Sequence, residues 1–182
     1  ENVSRIVDKP LFVIESPMVP NGLKRHHIEY YKVQLYKLKE FLEGFAKKKI
    51  DEEQFIEMVI YSRQASEMWT KIIELCRARP SPLDVKTMFS LMVPAINLRG
   101  TKAAIDFYNR LYDEVQDRVE RRIAAEANEE YRLIWDNIPL WYNLRMFREL
   151  QQEGAVCIAS PYVGQFGAGH KKYAGAEDED GL

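Results

Sequence analysis

Cysteine is scarce in this chain: Cys76 and Cys157 are the only two among 182 residues, and they lie far apart. That argues against a disulfide scaffold and leaves reduced thiols, the state expected of a cytoplasmic protein. Long hydrophobic runs are also lacking. The longest, Phe89 to Ile96, is interrupted by Ser90 and Pro94 and falls far short of the roughly 20 apolar residues that span a bilayer. The opening ENVSRIVDKP is polar, so no secretory signal is expected there. Excess charge of one sign is missing too. With 26 basic and 28 acidic side chains the formal net charge is −2, which offers no electrostatic attraction to nucleic acid or to an anionic membrane. CxxC, HExxH, GxSxG and P-loop patterns are all absent, which removes the commonest motif-borne metal, hydrolase and nucleotide chemistries.

What remains is a globular composition, with 46% hydrophobic and 30% charged residues, suited to one domain or a little more. The chain opens on Glu1 rather than Met, and the expectation is a piece of a longer protein. Pro10-Leu-Phe-Val-Ile-Glu-Ser-Pro17 reads as a short buried strand between prolines. Ile28, Tyr31, Leu35, Leu38, Leu42 and Phe45 recur at spacings of three and four, which predicts a helix from about 24 to 48 with one apolar stripe. Lys47, Lys48 and Lys49 fall in its expected last turn. Asp51 and Gln54 resemble a capping box. They open a second helix with Phe55, Val59, Trp69, Ile73 and Cys76 on one face, stopped by Pro80 and Pro82. Leu83 to Asn97 is predicted helical with a break near Pro94. A further long helix follows Thr101, with Ala104, Phe107 or Tyr108, Leu111, Val115, Val119 and Ile123 along it.

After Asn128 the period changes. Tyr131 to Trp135 reads as a strand, Pro139 to Gln152 as a helix ended by Gly154, and Ala155 to Ala159 as a second strand. The predicted fold is therefore α/β with a large helical portion. Long helices lead into a βαβ unit of an incomplete Rossmann-like parallel sheet. The expected division is residues 1–127 as the strand and helical region of a first domain, 128–163 as the start of a second, α/β domain, and 164–182 as a flexible Gly-rich and acidic tail.

Few side chains carry obvious chemistry. His26 and His27 with Glu29 could suggest metal ligands, but adjacent helical residues diverge by about 100°, so the ordinary reading is two exposed polar residues in a first turn. His170 has no partner at a useful spacing. Cys76 and Cys157 read as small core residues. Gly164, Gly167 and Gly169 follow a strand but match no dinucleotide fingerprint. Trp135 and Trp141 flank the turn Asp136-Asn-Ile-Pro139 at a strand's C-terminal end, where open α/β sheets place ligands. Ser160-Pro161-Tyr162 follows the next strand, on the same side of the sheet. The plain reading is that both indoles pack the helix on the sheet. The functional reading is that Trp135, Pro139, Trp141, Ser160 and Tyr162 line a pocket for a flat or acyl-chain ligand.

The run EEYRLIWDNIPLWYNLRMFRELQQEGAVCIASPYVGQFG, residues 129 to 167, resembles the second α/β domain of the 2-hydroxyacyl-CoA dehydratase and benzoyl-CoA reductase subunit family. Its core there reads Arg-Leu/Ile-x-Trp-Asp/Glu-Gly-Ile-Pro-x-Trp-x-x-Leu/Ile. Arg132, Trp135, Asp136, Ile138, Pro139, Trp141 and Leu144 fit, while Asn137 stands in place of Gly. PLFVIESPMVP and the helices after it resemble the family's first domain, so the resemblance covers most of the chain. It implies paired subunits of Rossmann-like domains, a 4Fe–4S cluster in the complete subunit, and single-electron chemistry on an acyl-CoA thioester. The implied partners are a homologous second subunit and an ATP-dependent activator protein. The implied reaction is radical dehydration of a 2-hydroxyacyl-CoA or reduction of benzoyl-CoA. Such a cluster takes three or four thiolates, and this chain has two cysteines outside the family's ligand motifs. The expectation is no cofactor held by this chain and no turnover alone. The alternative is a non-catalytic helical module whose apolar stripes bind a partner.

Overall fold

The computed structural model describes residues 6–19 and 22–167. They fall into two compact units, meeting in sequence between Glu52 and Glu53.

The first unit is built on helix α1, Arg25–Ala46. His27 Nδ1 accepts the Lys24 amide at 3.0 Å, satisfying one of the free donors at the helix start. Desolvation, then His26 and Lys24, holds the His27 pKa below its usual value. At the other end Lys47 turns left-handed (φ 51°) and its amide returns to the Glu43 carbonyl. The three lysines therefore lie just beyond the helix, not in its last turn. Inside that closure the buried Glu43 carboxylate accepts Lys49 Nζ at 2.6 Å and the Ile50 amide at 3.0 Å. Lys49 first, then the Ile50 amide, hold its carboxyl below the usual carboxylate range.

The expected strand at Pro10–Pro17 is not formed, and most of it is exposed. Strand pairing needs a neighbouring backbone, and a side chain takes that place here. Gln34 of α1 accepts from the Glu15 amide at 2.7 Å and donates to the Glu15 carbonyl at 2.5 Å. Phe12 packs on Phe41 of α1 with ring centroids 5.4 Å apart. The predicted stripe on α1 exists, but Ile28, Tyr31, Leu35, Leu42 and Phe45 remain exposed.

The second unit holds the core. Helix α2, Glu52–Leu75, buries Ala65, Trp69 and Ile72, and Cys76 follows them into the core. Phe55 and Val59, expected on that same face, are exposed, so only the second half of α2 is a core helix. It stops at Leu75, five positions before Pro80, because the chain is capped from outside. Arg132 donates to the carbonyls of Cys76 (2.9 Å), Ala78 (3.0 Å) and Arg77 (3.3 Å), placing a cation where the helix end is electronegative.

Helices α3 (Val85–Leu91) and α4 (Val93–Asn97) meet at Met92, the break expected near Pro94. Tyr108 of α5, Lys102–Glu120, bridges it. Its hydroxyl donates to the Leu91 carbonyl at 3.0 Å and accepts the Ala95 amide at 2.9 Å. Thr101 caps α5, its side chain accepting the Ala104 amide, as Ser, Thr and Asp commonly do.

Strands β1 (Tyr131–Ile134) and β2 (Ala155–Ala159) form a parallel two-stranded sheet, with Tyr131 opposite Ala155 and Ile134 opposite Ala159. Between them the crossover is not one helix from Pro139. A 3-10 turn at Trp141–Asn143 precedes α6, Arg145–Gln152, because Leu140 adopts a non-helical φ −77°, ψ 78°. Gly154 (φ +75°) makes the turn into β2, and its carbonyl accepts the amides of Glu130 and Tyr131 at 3.0 and 2.9 Å. A short helix α7, Pro161–Gly164, follows β2. His170, Gly169 and the tail beyond lie outside the described residues.

Candidate functional site

The two strands of the sheet end side by side, and the residues that leave them carry the candidate site. The Trp135 amide bonds the Ala159 carbonyl at 2.9 Å, extending the ladder by one step. The chain then turns. Asn137 sits at φ +72°, a region open chiefly to Gly and accessible to Asn. Two short Asx contacts support it: Asp136 Oδ1 accepts the Asn137 amide and Asn137 Oδ1 accepts the Ile138 amide, both at 2.7 Å. Asn137 thus holds a conformation that Gly also adopts readily. Trp135 closes it from above, its indole N–H donating to the Ile138 carbonyl at 3.2 Å. Pro139 is buried and its carbonyl accepts the Trp141 amide at 2.9 Å.

Phe89 of α3 gathers the rings. Its centroid lies 5.9 Å from Trp141, 5.8 Å from Phe147 of α6 and 6.3 Å from Tyr162 of α7. Trp135 joins through Phe147, 5.0 Å away with the planes at 66°. These tilted and edge-to-face pairs suit the aromatic quadrupole. The three expected aromatics thus share one cluster, but through Phe89 and Phe147, which sequence spacing alone did not single out. Phe89 is 46 positions from Trp135, and no local pattern links them. Phe147 is buried, whereas Trp141 leaves about half its surface open, at 55%.

Ser160 follows β2 and precedes α7. It is buried, at 7% exposure, and its hydroxyl has no hydrogen-bond partner among the described residues. The segment after it is tied to α2. The Trp69 indole donates to the Val163 carbonyl at 3.2 Å, and the Thr70 hydroxyl donates to the Gly167 carbonyl. A Cβ on Gly167 would lie 2.8 Å from Trp69 Cδ1. That close approach accounts for one glycine of the run that matched no nucleotide fingerprint.

Below the site Asp84 joins two elements. Its Oδ1 caps α3 through the Thr87 amide at 2.9 Å, and its Oδ2 accepts Gln151 Nε2 of α6 at 2.8 Å.

The two thiols are both buried. Burial pushes the Cys76 thiol up to about 12 and the Cys157 thiol up to about 11, so both stay protonated at neutral pH. No three of His, Cys, Asp and Glu group as a metal site among the described residues. The donor set does not fit an iron–sulfur cluster, which needs several thiolates facing one point. Nor is any described helix long and apolar enough to cross a membrane.

Comparison with known proteins gives the site its context. A family model described as 2-hydroxyglutaryl-CoA dehydratase, D-component, matches residues 1–181. The (R)-phenyllactyl-CoA dehydratase alpha subunit of Clostridium sporogenes is 27% identical over 92% of this chain and 42% of its own length. The (R)-2-hydroxyglutaryl-CoA dehydratase alpha subunit of Acidaminococcus fermentans is 24% identical over 92% of this chain and 36% of its own. A benzoyl-CoA reductase subunit of Thauera aromatica is 30% identical over 63% of this chain and 29% of its own. The chain spans less than half the length of each of these relatives.

Proposed function

Because the chain belongs to the 2-hydroxyglutaryl-CoA dehydratase D-component family, we propose that it is part of one subunit of an enzyme acting on an acyl-CoA thioester. The relatives named above are a phenyllactyl-CoA dehydratase, a 2-hydroxyglutaryl-CoA dehydratase and a benzoyl-CoA reductase, and the CoA thioester is what those names share. Radical dehydration of a 2-hydroxyacyl-CoA is the favoured reaction, and reduction of benzoyl-CoA is the other the family offers. Residues 128–163 are proposed to begin the second α/β domain of the complete subunit, after the helical region of the first.

This portion supplies a wall of the acyl-CoA pocket, formed by Trp135, Pro139, Trp141, Ser160 and Tyr162. The observation behind this is the single aromatic cluster at the C-terminal ends of two parallel strands, the usual ligand position of open α/β sheets. Aromatic faces suit an acyl or aryl group, and the exposed Trp141 leaves the cluster reachable. The 4Fe–4S cluster of the complete protein would be held by other residues, since neither thiol here is placed to ligate it. A homologous second subunit and an ATP-dependent activator protein complete the proposed assembly, and the chain alone turns nothing over.

Indole fluorescence tests the pocket. Titrating the chain with butyryl-CoA or a phenylpropionyl-CoA quenches the indoles, and the response shrinks in Trp141→Phe and Trp135→Phe. Quenching that is absent up to millimolar thioester, or equal in both variants and wild type, rejects it. The second reading, a non-catalytic helical interaction module, draws on the exposed apolar positions of α1 and of the first half of α2.

A further inference from the structure

We propose that the open stripe of α1 is a docking face for a helix of another polypeptide, one with an apolar seam and carboxylates along its flanks. The inference uses the first unit alone and stands apart from the acyl-CoA reading.

The stripe has the period of a coiled coil. Ile28, Leu35 and Leu42 lie seven residues apart, and Tyr31, Leu38 and Phe45 repeat that spacing three residues further on. On one helix these are the a and d positions that meet a partner helix. All of them are exposed except Leu38, which is half-buried. Apolar anchors at this spacing are the usual means of receiving an amphipathic helix.

The two flanks of the seam differ, and the difference selects the occupant. On one side stand His27, Gln34 and Phe41, the g positions. The segment before α1 already lies there: Phe12 packs on Phe41, and Gln34 holds both backbone groups of Glu15. The Glu15 carboxylate is taken by the Tyr30 hydroxyl. On the other side stand Arg25, Lys32 and Lys39, the e positions, again seven apart. This flank is a row of cations. Arg25 is exposed. Lys32 meets Glu29 only at 4.0 Å, with both side chains 55% exposed. Lys39 bonds Glu52 at 2.5 Å, and the Glu52 side chain is itself 75% exposed. Such exposed pairs are weak, and the second shows what kind of group the row accepts.

Flanking charges choose the partner of a helical seam. A second copy of α1 suits it poorly. Laid antiparallel, the two e rows face each other, cation against cation. Laid parallel, each row meets His27 and Gln34 and gains no carboxylate. Self-association through this face is therefore weak and needs concentration. A helix with Glu or Asp on both sides of its seam satisfies the row in either direction.

Two three-heptad peptides test this. Both carry leucine at a and d, and either glutamate or lysine at every e and g position. Their binding to the 182-residue chain is read by fluorescence anisotropy. The glutamate peptide should bind about tenfold more tightly than the lysine peptide at low salt, a preference that shrinks at about 0.5 M salt. Arg25→Glu with Lys32→Glu should remove the preference. That pair keeps the Lys39–Glu52 contact, and a glutamate in the first turn favours the helix, so lost binding is not lost structure. Leu35→Gln with Leu42→Gln should weaken the glutamate peptide about tenfold at unchanged helix content by circular dichroism.

Equal or reversed affinity for the two peptides in wild type overturns the charge assignment. Binding of neither removes the docking face and leaves the acyl-CoA pocket untouched. Full binding in the Leu35→Gln, Leu42→Gln variant moves the contact elsewhere and overturns it too. If the chain's own association resists displacement by the glutamate peptide, the occupant is a second copy and the proposal falls.

Discussion

Cys76 and Cys157 each lie where hydrocarbon replaces water, and burial raises both thiol pKa values, to about 12 and about 11. The Tyr108 phenol is likewise raised by burial, to about 12, despite the bond from the Ala95 amide. All three are acids whose neutral form the fold favours. Their folded pKa values exceed the unfolded ones, about 8.5 for cysteine and about 10 for tyrosine. Their contribution to stability is therefore complete below pH 8.5 or so and is lost as pH rises toward 11 to 12. Urea midpoints should be level between neutrality and mild alkali, then fall steadily above pH 9 or so. In Cys76→Ala the alkaline fall should be shallower. A thiol-specific disulfide reagent should label neither cysteine in the native chain at mildly alkaline pH, and both in denaturant. Rapid native labelling would mean that the thiols are open to solvent. At this scale the sequence was a good guide to the cysteines, because Cys76 falls on the apolar face of a helix and Cys157 lies between Val156 and Ile158. The Asn137 turn was legible as chemistry but not as conformation. Its φ of +72° is set by two carboxamide and carboxylate contacts that need coordinates to be seen.

Between elements, the most demanding contact is that of α2 with the segment after β2. Trp69 is fully buried, packs 5.5 Å from the Tyr108 ring, and donates its indole N–H to the Val163 carbonyl. Gly167 lies against it so closely that an added Cβ would sit 2.8 Å from Trp69 Cδ1 and 3.2 Å from the Thr70 amide. The indole has no flexible end to move aside. Gly167→Ala should therefore cost about 1–3 kcal/mol, read as a lower urea midpoint at unchanged slope. If the pocket lies at this strand end, the same variant should also weaken acyl-CoA quenching, since it displaces the segment that carries Tyr162. A variant as stable as wild type would show that the segment is not pinned. The helices of the chain were readable from apolar spacing, because an amphipathic period is a local property. The strand at Pro10–Pro17 was not, because strand formation depends on a neighbour, and Gln34 satisfies Glu15 instead. The stop of α2 at Leu75 was missed for the same reason. Its cap, Arg132, comes from 56 residues away.

For the molecule as a whole, the balance of buried and exposed apolar surface differs between the two units. In the second, α3, α5, α6 and both strands contribute to one core. In the first, α1 leaves Ile28, Leu35, Leu42 and Phe45 open, and Glu43 is its one buried residue. The start of α2 is open in the same way at Phe55, Ile56, Val59 and Ile60. Exposed apolar side chains repeated along a helix in this way are uncommon on proteins that work as monomers. The sheet, with two strands among the described residues, also has edges available for pairing. A portion of a larger subunit would show these features together, whereas a self-sufficient module would have covered its sheet. Sedimentation velocity should therefore find that the chain associates as its concentration rises. Leu35→Glu with Leu42→Glu should weaken association while leaving the alkaline and urea behaviour of Cys76 and Trp69 unchanged, because those residues belong to the other unit. A single monomeric species at all concentrations would favour the interaction-module reading. In that case the acyl-CoA titration becomes decisive, since a module of that kind has no reason to present Trp135 and Trp141 around a strand end.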